Sequence, residues 1–370
     1  MSYARARLWI GISAVGLNVL IASSVVAFDI PVSQAWVILA AYVIWMMPFD
    51  FLGGWWLPTR YGRSKQSLRA FLIDWAWGAL LQSIVFIACS ASILWASRLF
   101  GFGGGVVALL FCGVLLLALR PFLLNIFSRP TTSGASFDHS TVSNLVAGWG
   151  IASTPIEFRI APTTGFTGGI VGLLKPQIVF PDHWRTILTP SELAALSARR
   201  SLTVSTGSYR RGLLLAGAWL IVAYVGGCWI AGTTNTGPQT AVDLMRTIAG
   251  TTLCSFLGLL ILPTFSRAAA RRLDGMTVGH VPKELLQSAL EKIDRVQDDE
   301  PHRPRGVELI FHPVPSVALR QHRELTAERA VPWNLARQIL YLSWIVANPL
   351  ARAVHCNTGQ SLLWIYPPTD

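Results

Sequence analysis

The chain has 370 residues, 52% hydrophobic and only 13% charged, with 30 Lys and Arg against 19 Asp and Glu for a net charge of +11. Soluble domains carry about 25% charged residues, so an ordinary water-soluble globular protein is excluded. No recognised nucleic-acid-binding motif accompanies the basic balance, which argues against nucleic acid as a partner.

The deficit of charge comes from long apolar runs. Residues 8–28, 35–57, 70–96, 104–119 and 212–232 each approach or exceed the roughly 20 residues that cross a hydrocarbon core as a helix. Residues 247–265 form a weaker sixth run. The first lacks a small-residue cleavage site at its end and another run follows at once, so it reads as a retained helix, not a secretory leader. Arg5 and Arg7 precede the first run; Arg60, Arg63, Lys65 and Arg69 follow the second. Arg120 and Arg129 follow the fourth, Arg210 and Arg211 precede the fifth, and Arg267, Arg271 and Arg272 follow the sixth. The intervening loops 29–34 and 233–241 hold neither Lys nor Arg. Basic residues collect on the cytoplasmic side of spans, so both termini and the central polar region are expected there. The five cysteines lack C-x-x-C spacing and four lie in apolar runs, so they read as small apolar residues, not disulfides or metal ligands.

After the four-span region (1–127) comes a Ser/Thr-rich stretch, 128–155, expected to be a flexible linker. Ile156-Glu157-Phe158-Arg159-Ile160 alternates as a half-buried strand does. Residues 166–173 and 177–180 read as two further strands, with Lys175-Pro176 turning between them. Thr189-Pro190-Ser191-Glu192 is a helix start: Thr189 as N-cap, Pro190 at the first helical position and Glu192 at the capping-box position. Residues 156–210 thus form the first part of a polar domain, and 211–265 hold the last two spans. The second part, 266–330, includes a helix over 282–296 with Leu285, Leu286, Ala289, Leu290 and Ile293 on one face. The tail, 331–370, has an apolar stretch, 339–347, too short to span, which is expected to pack on the polar domain or lie at the membrane interface.

The residues from Gly165 to Arg320 resemble the membrane zinc metallopeptidases of HtpX and CaaX-prenyl-endopeptidase type. The likeness rests on Gly165-Phe166-Thr167-Gly168-Gly169, then Gln177-Ile178-Val179-Phe180-Pro181, then Leu188-Thr189-Pro190-Ser191-Glu192-Leu193-Ala194-Ala195. Two spans follow, and then Ser266-Arg267 leading to Asp274, Leu286-Gln287-Ser288-Ala289-Leu290-Glu291-Lys292-Ile293, and His312-Pro313 with Arg320. The resemblance implies an α+β, predominantly helical fold, with multi-pass membrane helices carrying a zincin-like cytoplasmic domain, and a place in the cell inner membrane.

The family's metal site does not carry over. Its first ligand His falls on Arg199, its general-base Glu on Arg200, its second ligand His on Thr203 and its ligand Glu on Ala270; only the Asp of the second motif persists, as Asp274. Two His four apart on a helix and a Glu from a second helix hold zinc, and a Glu beside the first His activates the bound water. Arg offers no lone pair, and Ala no donor. A guanidinium about 4 Å from a divalent cation at an effective dielectric of 20 costs roughly 8 kcal/mol. Zinc is therefore expected to be absent.

Arg199 and Arg200 have two readings: a basic helix end near lipid headgroups, or Arg199 standing in the former metal pocket and pairing with Asp274. Phe166, Thr167, Gly168 and Gly169 correspond to the edge strand on which the family docks an extended substrate, so they are candidates for binding a peptide by strand addition. His312 and Arg320 resemble positions near the family's substrate. No two histidines have i, i+4 spacing on a confident helix. Among charges in or near spans, Asp74, Arg120 and Arg246 sit near the ends; Asp50 lies deeper, beside Pro48, Gly53 and Gly54, which predict a broken or interfacial helix end. The expected function is that of a catalytically inactive peptidase homologue binding the bilayer and a membrane-protein or peptide partner. An active membrane zinc endopeptidase with other ligands, and a transporter or sensor built on the spans, are the alternatives.

Overall fold

The computed structural model describes residues 1–28, 35–131, 139–321 and 331–367. In chain order its helices begin with α1 (Tyr3–Ala27), α2 (Ala35–Phe51), α3 (Leu57–Arg60), α4 (Leu68–Phe127) and α5 (His139–Gly148). After the strands come α6 (Trp184–Ile187), α7 (Pro190–Ser205), α8 (Ser208–Ile230), α9 (Ala241–Val278) and α10 (Lys283–Gln297). The series closes with α11 (Arg305–Phe311), α12 (Val317–Gln321), α13 (Leu335–Leu342), α14 (Leu350–Ala353) and α15 (Ser361–Ile365). The strands are β1 (Arg129–Pro130), β2 (Ile156–Ile160), β3 (Gly169–Val171) and β4 (Gln177–Pro181). Two compact units result, one of residues 1–119, 216–259 and 339–367, the other essentially of 120–215 and 260–338.

In the first unit, α1, α2 and α4 match the first four apolar runs. The 60 residues of α4 are two limbs, because Gly101 leaves the helical region with φ 63° and ψ −157°. A methyl group added at Gly105 would meet Ser97 Oγ at 2.5 Å, although eight residues along a straight helix span about 12 Å. The chain therefore folds back on Gly101, a conformation glycine adopts without a Cβ penalty. The break expected near Asp50 is a π-helical turn, Leu52–Trp56, just beyond Pro48.

The tail departs from expectation. Residues 339–367 belong to the span-bearing unit and are almost entirely buried there. They are not part of the polar domain. Tyr341 donates to the Leu116 carbonyl at 2.7 Å, and Arg7 to that of Cys356 at 2.7 Å. Asp50 is fully buried and pairs with Arg352, whose Nε donates at 2.7 Å; the Gly359 amide donates to its other oxygen at 2.9 Å and Trp75 Nε1 donates at 3.1 Å. The Arg352 guanidinium also lies 4.2 Å from the centre of the Trp364 ring. Glycines let the backbones touch: a methyl at Gly11 would meet the His355 backbone at 2.5 Å, and one at Gly54 the Gly359 carbonyl carbon at 2.5 Å. Short apolar segments need not reach across a bilayer when polar groups on neighbouring spans take their backbone and side-chain bonds.

In the second unit a four-stranded sheet has the order β1-β2-β4-β3, with β2 parallel to β4 and the outer pairs antiparallel. The part of the supposed flexible linker from 139 to 148 is helix α5, and its Val142 and Val146 join the core with Phe158, Phe180, Trp184, Leu193 and Leu196. Apolar side chains four apart on one helix face account for this. Residues 132–138 of that stretch, the loop 29–34 and His322 lie outside the described residues. The expected alternation in β2 is broken: Ile160 is exposed and Arg159 buried, paired with Glu157 at 2.6 Å. Helix α7 starts as expected, with the full capping box of Thr189 and Glu192. Glu192 also accepts from Ser288 at 2.6 Å and Lys292 at 2.8 Å, tying α7 to α10. Leu286, Ala289, Leu290 and Ile293 are the buried face of α10. At 1.5 Å per residue the 38 residues of α9 reach about 57 Å, nearly twice the roughly 30 Å hydrocarbon core, so α9 is longer than one span, and Asp274 lies past its apolar run 247–265.

Candidate functional site

Ala270 and Asp274 are one turn apart on α9 and both buried. Arg199 projects from α7 and its Nε donates to Asp274 Oδ1 at 2.7 Å. A third element joins them. Arg320, on α12, grips the same carboxylate with two donors, Nε to Oδ2 at 2.7 Å and Nη2 to Oδ1 at 2.8 Å. Arg199 is 1% exposed, Asp274 2% and Arg320 5%. Two guanidinium groups thus share one carboxylate out of water, with the bidentate fork that suits arginine. Burial alone would push the Asp274 carboxyl up; the charges of Arg320 and Arg199 and their hydrogen bonds outweigh it and hold it below the usual carboxylate range. Of the two sequence readings of Arg199, the pairing with Asp274 is the one realised here.

Arg200 turns the other way. Its Nη1 donates to the Val179 carbonyl at 2.8 Å and Nη2 to that of Thr167 at 2.7 Å, and its guanidinium lies 4.4 Å from the Phe180 ring centre. It fastens the loop before β3 to β4 and is not a headgroup contact. Thr203 spends its hydroxyl on the Arg199 carbonyl at 2.9 Å. The four positions that the resemblance assigns to zinc chemistry therefore hold two engaged arginines, a back-bonded threonine and an alanine. That donor set does not fit zinc, which takes Cys, His or carboxylate ligands. Among the described residues no three His, Cys, Asp or Glu side chains gather as a metal site.

Phe166, Thr167, Gly168 and Gly169 are all buried. Gly168 has φ 68°, and a side chain there would strike the Val179 carbonyl. Although β3 is the terminal strand of the sheet, these four residues are not an open edge. His312 is buried too, and its carbonyl accepts from Arg267 at 3.1 Å. Burial, reinforced by Arg303, pushes the imidazole down to about 3, so it is neutral at physiological pH. Of the sequence candidates, the structure gathers Arg199, Asp274 and Arg320 and leaves Arg200, His312 and the 166–169 segment to separate contacts. Local sequence gives no sign of Arg320 as a second partner of Asp274, 46 residues away; only its place in the His312-Pro313…Arg320 pattern singles it out.

Together these features define a predominantly helical, integral membrane protein of metallopeptidase-like fold. A particular solved structure shares that fold: the crystal structure of S. mikatae Ste24p, with a TM-score of 0.63 and 14% sequence identity, over 82% of this chain and 79% of that one. No protein-family model and no curated protein matches the sequence. At this identity the likeness is one of fold.

Proposed function

We propose that this protein is a catalytically inactive membrane metallopeptidase homologue, a pseudopeptidase that binds a membrane or peptide partner, with its polar domain and both termini in the cytoplasm. One observation carries the reading: Arg199, which the resemblance aligns with the first metal ligand, is bound in an ion cluster with Asp274 and Arg320. An ion cluster there links α7, α9 and α12 as a metal would, but offers no lone pair for a cation and no base for water. The flanking pattern of Lys and Arg supports the orientation, and the fold likeness supports partner binding by analogy only. Buried as they are, residues 166–169 would need to be uncovered before a peptide could add there.

The test is metal content and its gain. Purified protein is expected to hold far less than one zinc per chain, and to cleave no casein with or without chelator. The fourfold variant Arg199→His, Arg200→Glu, Thr203→His, Ala270→Glu is expected to acquire chelator-sensitive zinc near one per chain. Stoichiometric zinc in the unaltered protein, lost on replacing particular histidines, would establish the active-peptidase alternative instead.

A further inference from the structure

The span-bearing unit contains a cavity of about 310 Å³. Its walls come from residues 18–25 of α1, 38–45 of α2, 86–94 of α4 and 241–252 of α9, with Ala347 and Pro349 of the tail closing it. These are the last third of α1, the first half of α2, the stretch of α4 approaching Gly101 and the start of α9. All four lie towards one end of the bundle, the end where the chain reverses at Gly101.

Asn18, Tyr42, Trp45 and Thr252, four of the polar residues in this wall, are already bonded within the protein. Asn18 donates to the Ala14 carbonyl at 2.8 Å and accepts from Trp45 Nε1 at 3.2 Å. The Thr252 hydroxyl donates to the Ile248 carbonyl at 2.8 Å, and Tyr42 to Gln82 Oε1 at 3.4 Å. Water requires two to four polar partners to stay in such a space. A helix bonds its own backbone but, at roughly 10 Å across, is too wide for this volume, and an extended segment would bring backbone groups that find no acceptor or donor. An empty cavity would forfeit the dispersion contacts of its lining. Hydrocarbon alone satisfies all three conditions.

The source of the hydrocarbon follows from the mouth. Ile87 lines the cavity and is also 56% exposed, on the same outward apolar face of α4 as Ile84 and Leu80. The cavity is thus continuous with the lipid-facing surface of an integral membrane protein. We propose that it is a lateral binding site for one acyl chain of a membrane phospholipid, the headgroup staying at the bilayer surface. A group the size of a water molecule takes roughly 30 Å³, so the volume holds about ten such groups, on the order of half of one long acyl chain.

The experiment uses the full chain, reconstituted with dioleoyl phosphatidylcholine, exchanged into detergent and weighed by native mass spectrometry. The unaltered protein is expected to keep one phospholipid per chain. Ala22→Phe and Ala249→Phe, which fill the cavity from two walls, are expected to lower that retention at least tenfold. Leu257→Phe, on the exposed face of α9, should leave it unchanged. Should the filled variants fail to fold, the unaltered protein decides: a retained phospholipid with dibrominated chains must quench fluorescence that is missing in Trp45→Phe. A folded protein that retains no lipid, filled variants that retain as much lipid as the unaltered protein, or the same quenching in Trp45→Phe would each overturn the proposal.

Discussion

Replacing Asp274 by Ala strips the shared carboxylate from Arg199 and Arg320 and leaves two guanidinium groups facing one another in a site that water does not reach. Three charge-assisted hydrogen bonds vanish. Each is worth about 1.5–3 kcal/mol, but they share one acceptor and do not add. Breaking a buried pair by removing one partner typically costs about 3–5 kcal/mol. At roughly 2–4 °C per kcal/mol for a unit of this size, the melting midpoint should fall by about 10 °C, read by the fluorescence of monodisperse protein in detergent. The pH dependence has a definite sign. A carboxylate whose pKa is depressed on folding stabilises the folded state above its unfolded pKa, near 3.9, and loses that contribution as pH falls through the lower folded value. The deficit of Asp274→Ala should therefore be full between pH 5 and 8 and shrink only in stronger acid. The apolar triple variant Arg199→Met, Asp274→Leu, Arg320→Met should recover much of the loss, because the charges left unpaired are removed with their partner. A deficit under about 1 kcal/mol for Asp274→Ala would refute the view that this cluster holds α7, α9 and α12 together.

Burial raises the Asp294 carboxyl to about 6, against the opposing charge of Arg303. Its contribution to stability is present below its unfolded pKa and lost as pH rises through 6, so Asp294→Asn should melt higher than the parent at pH 8 and equal to it near pH 4. Gly54→Ala forces a methyl into the Gly359 backbone, which cannot swing aside. Overpacking of this kind costs about 1–3 kcal/mol, measurable as a lower melting midpoint, whereas Gly16→Ala, inside α1 with open space around it, should hold or slightly raise it. Asp50→Asn should loosen the tail from the spans. Site-resolved maleimide labelling of the buried Cys356 should quicken several-fold while Cys89 and Cys112 stay slow; uniform acceleration at all three would mean global unfolding instead.

The parts of this fold legible in the sequence are those governed by local patterns. Six apolar runs, the capping box of Thr189 and Glu192, and the apolar stripe of α10 each depend on residues within a few turns of one another. The length of the tail's apolar stretch does not reveal its place. What seats it is Arg352 meeting Asp50, 302 positions away, and glycines on spans meeting its backbone. Pairing off lone charges in apolar surroundings would have raised that match, since an intramembrane Asp calls for a cation. At the candidate site, the aligned positions pointed to Arg199 and Asp274, but the geometry that admits Arg320 depends on how α12 packs. Nor could the pattern show that Arg200, beside Arg199, points to the sheet. The Ser/Thr content of 128–155 suggested a linker, whereas two valines four apart were enough to anchor α5.

The hairpin at Gly101 bears on how the polypeptide is made. With a single residue turning the corner, the two limbs of α4 share no hydrophilic loop that could be carried across the bilayer ahead of them. The two limbs are therefore expected to enter the bilayer together, as a pair. A bulky residue at position 101 should thus betray itself first as failed insertion during synthesis, before any measurement on the finished protein could be made.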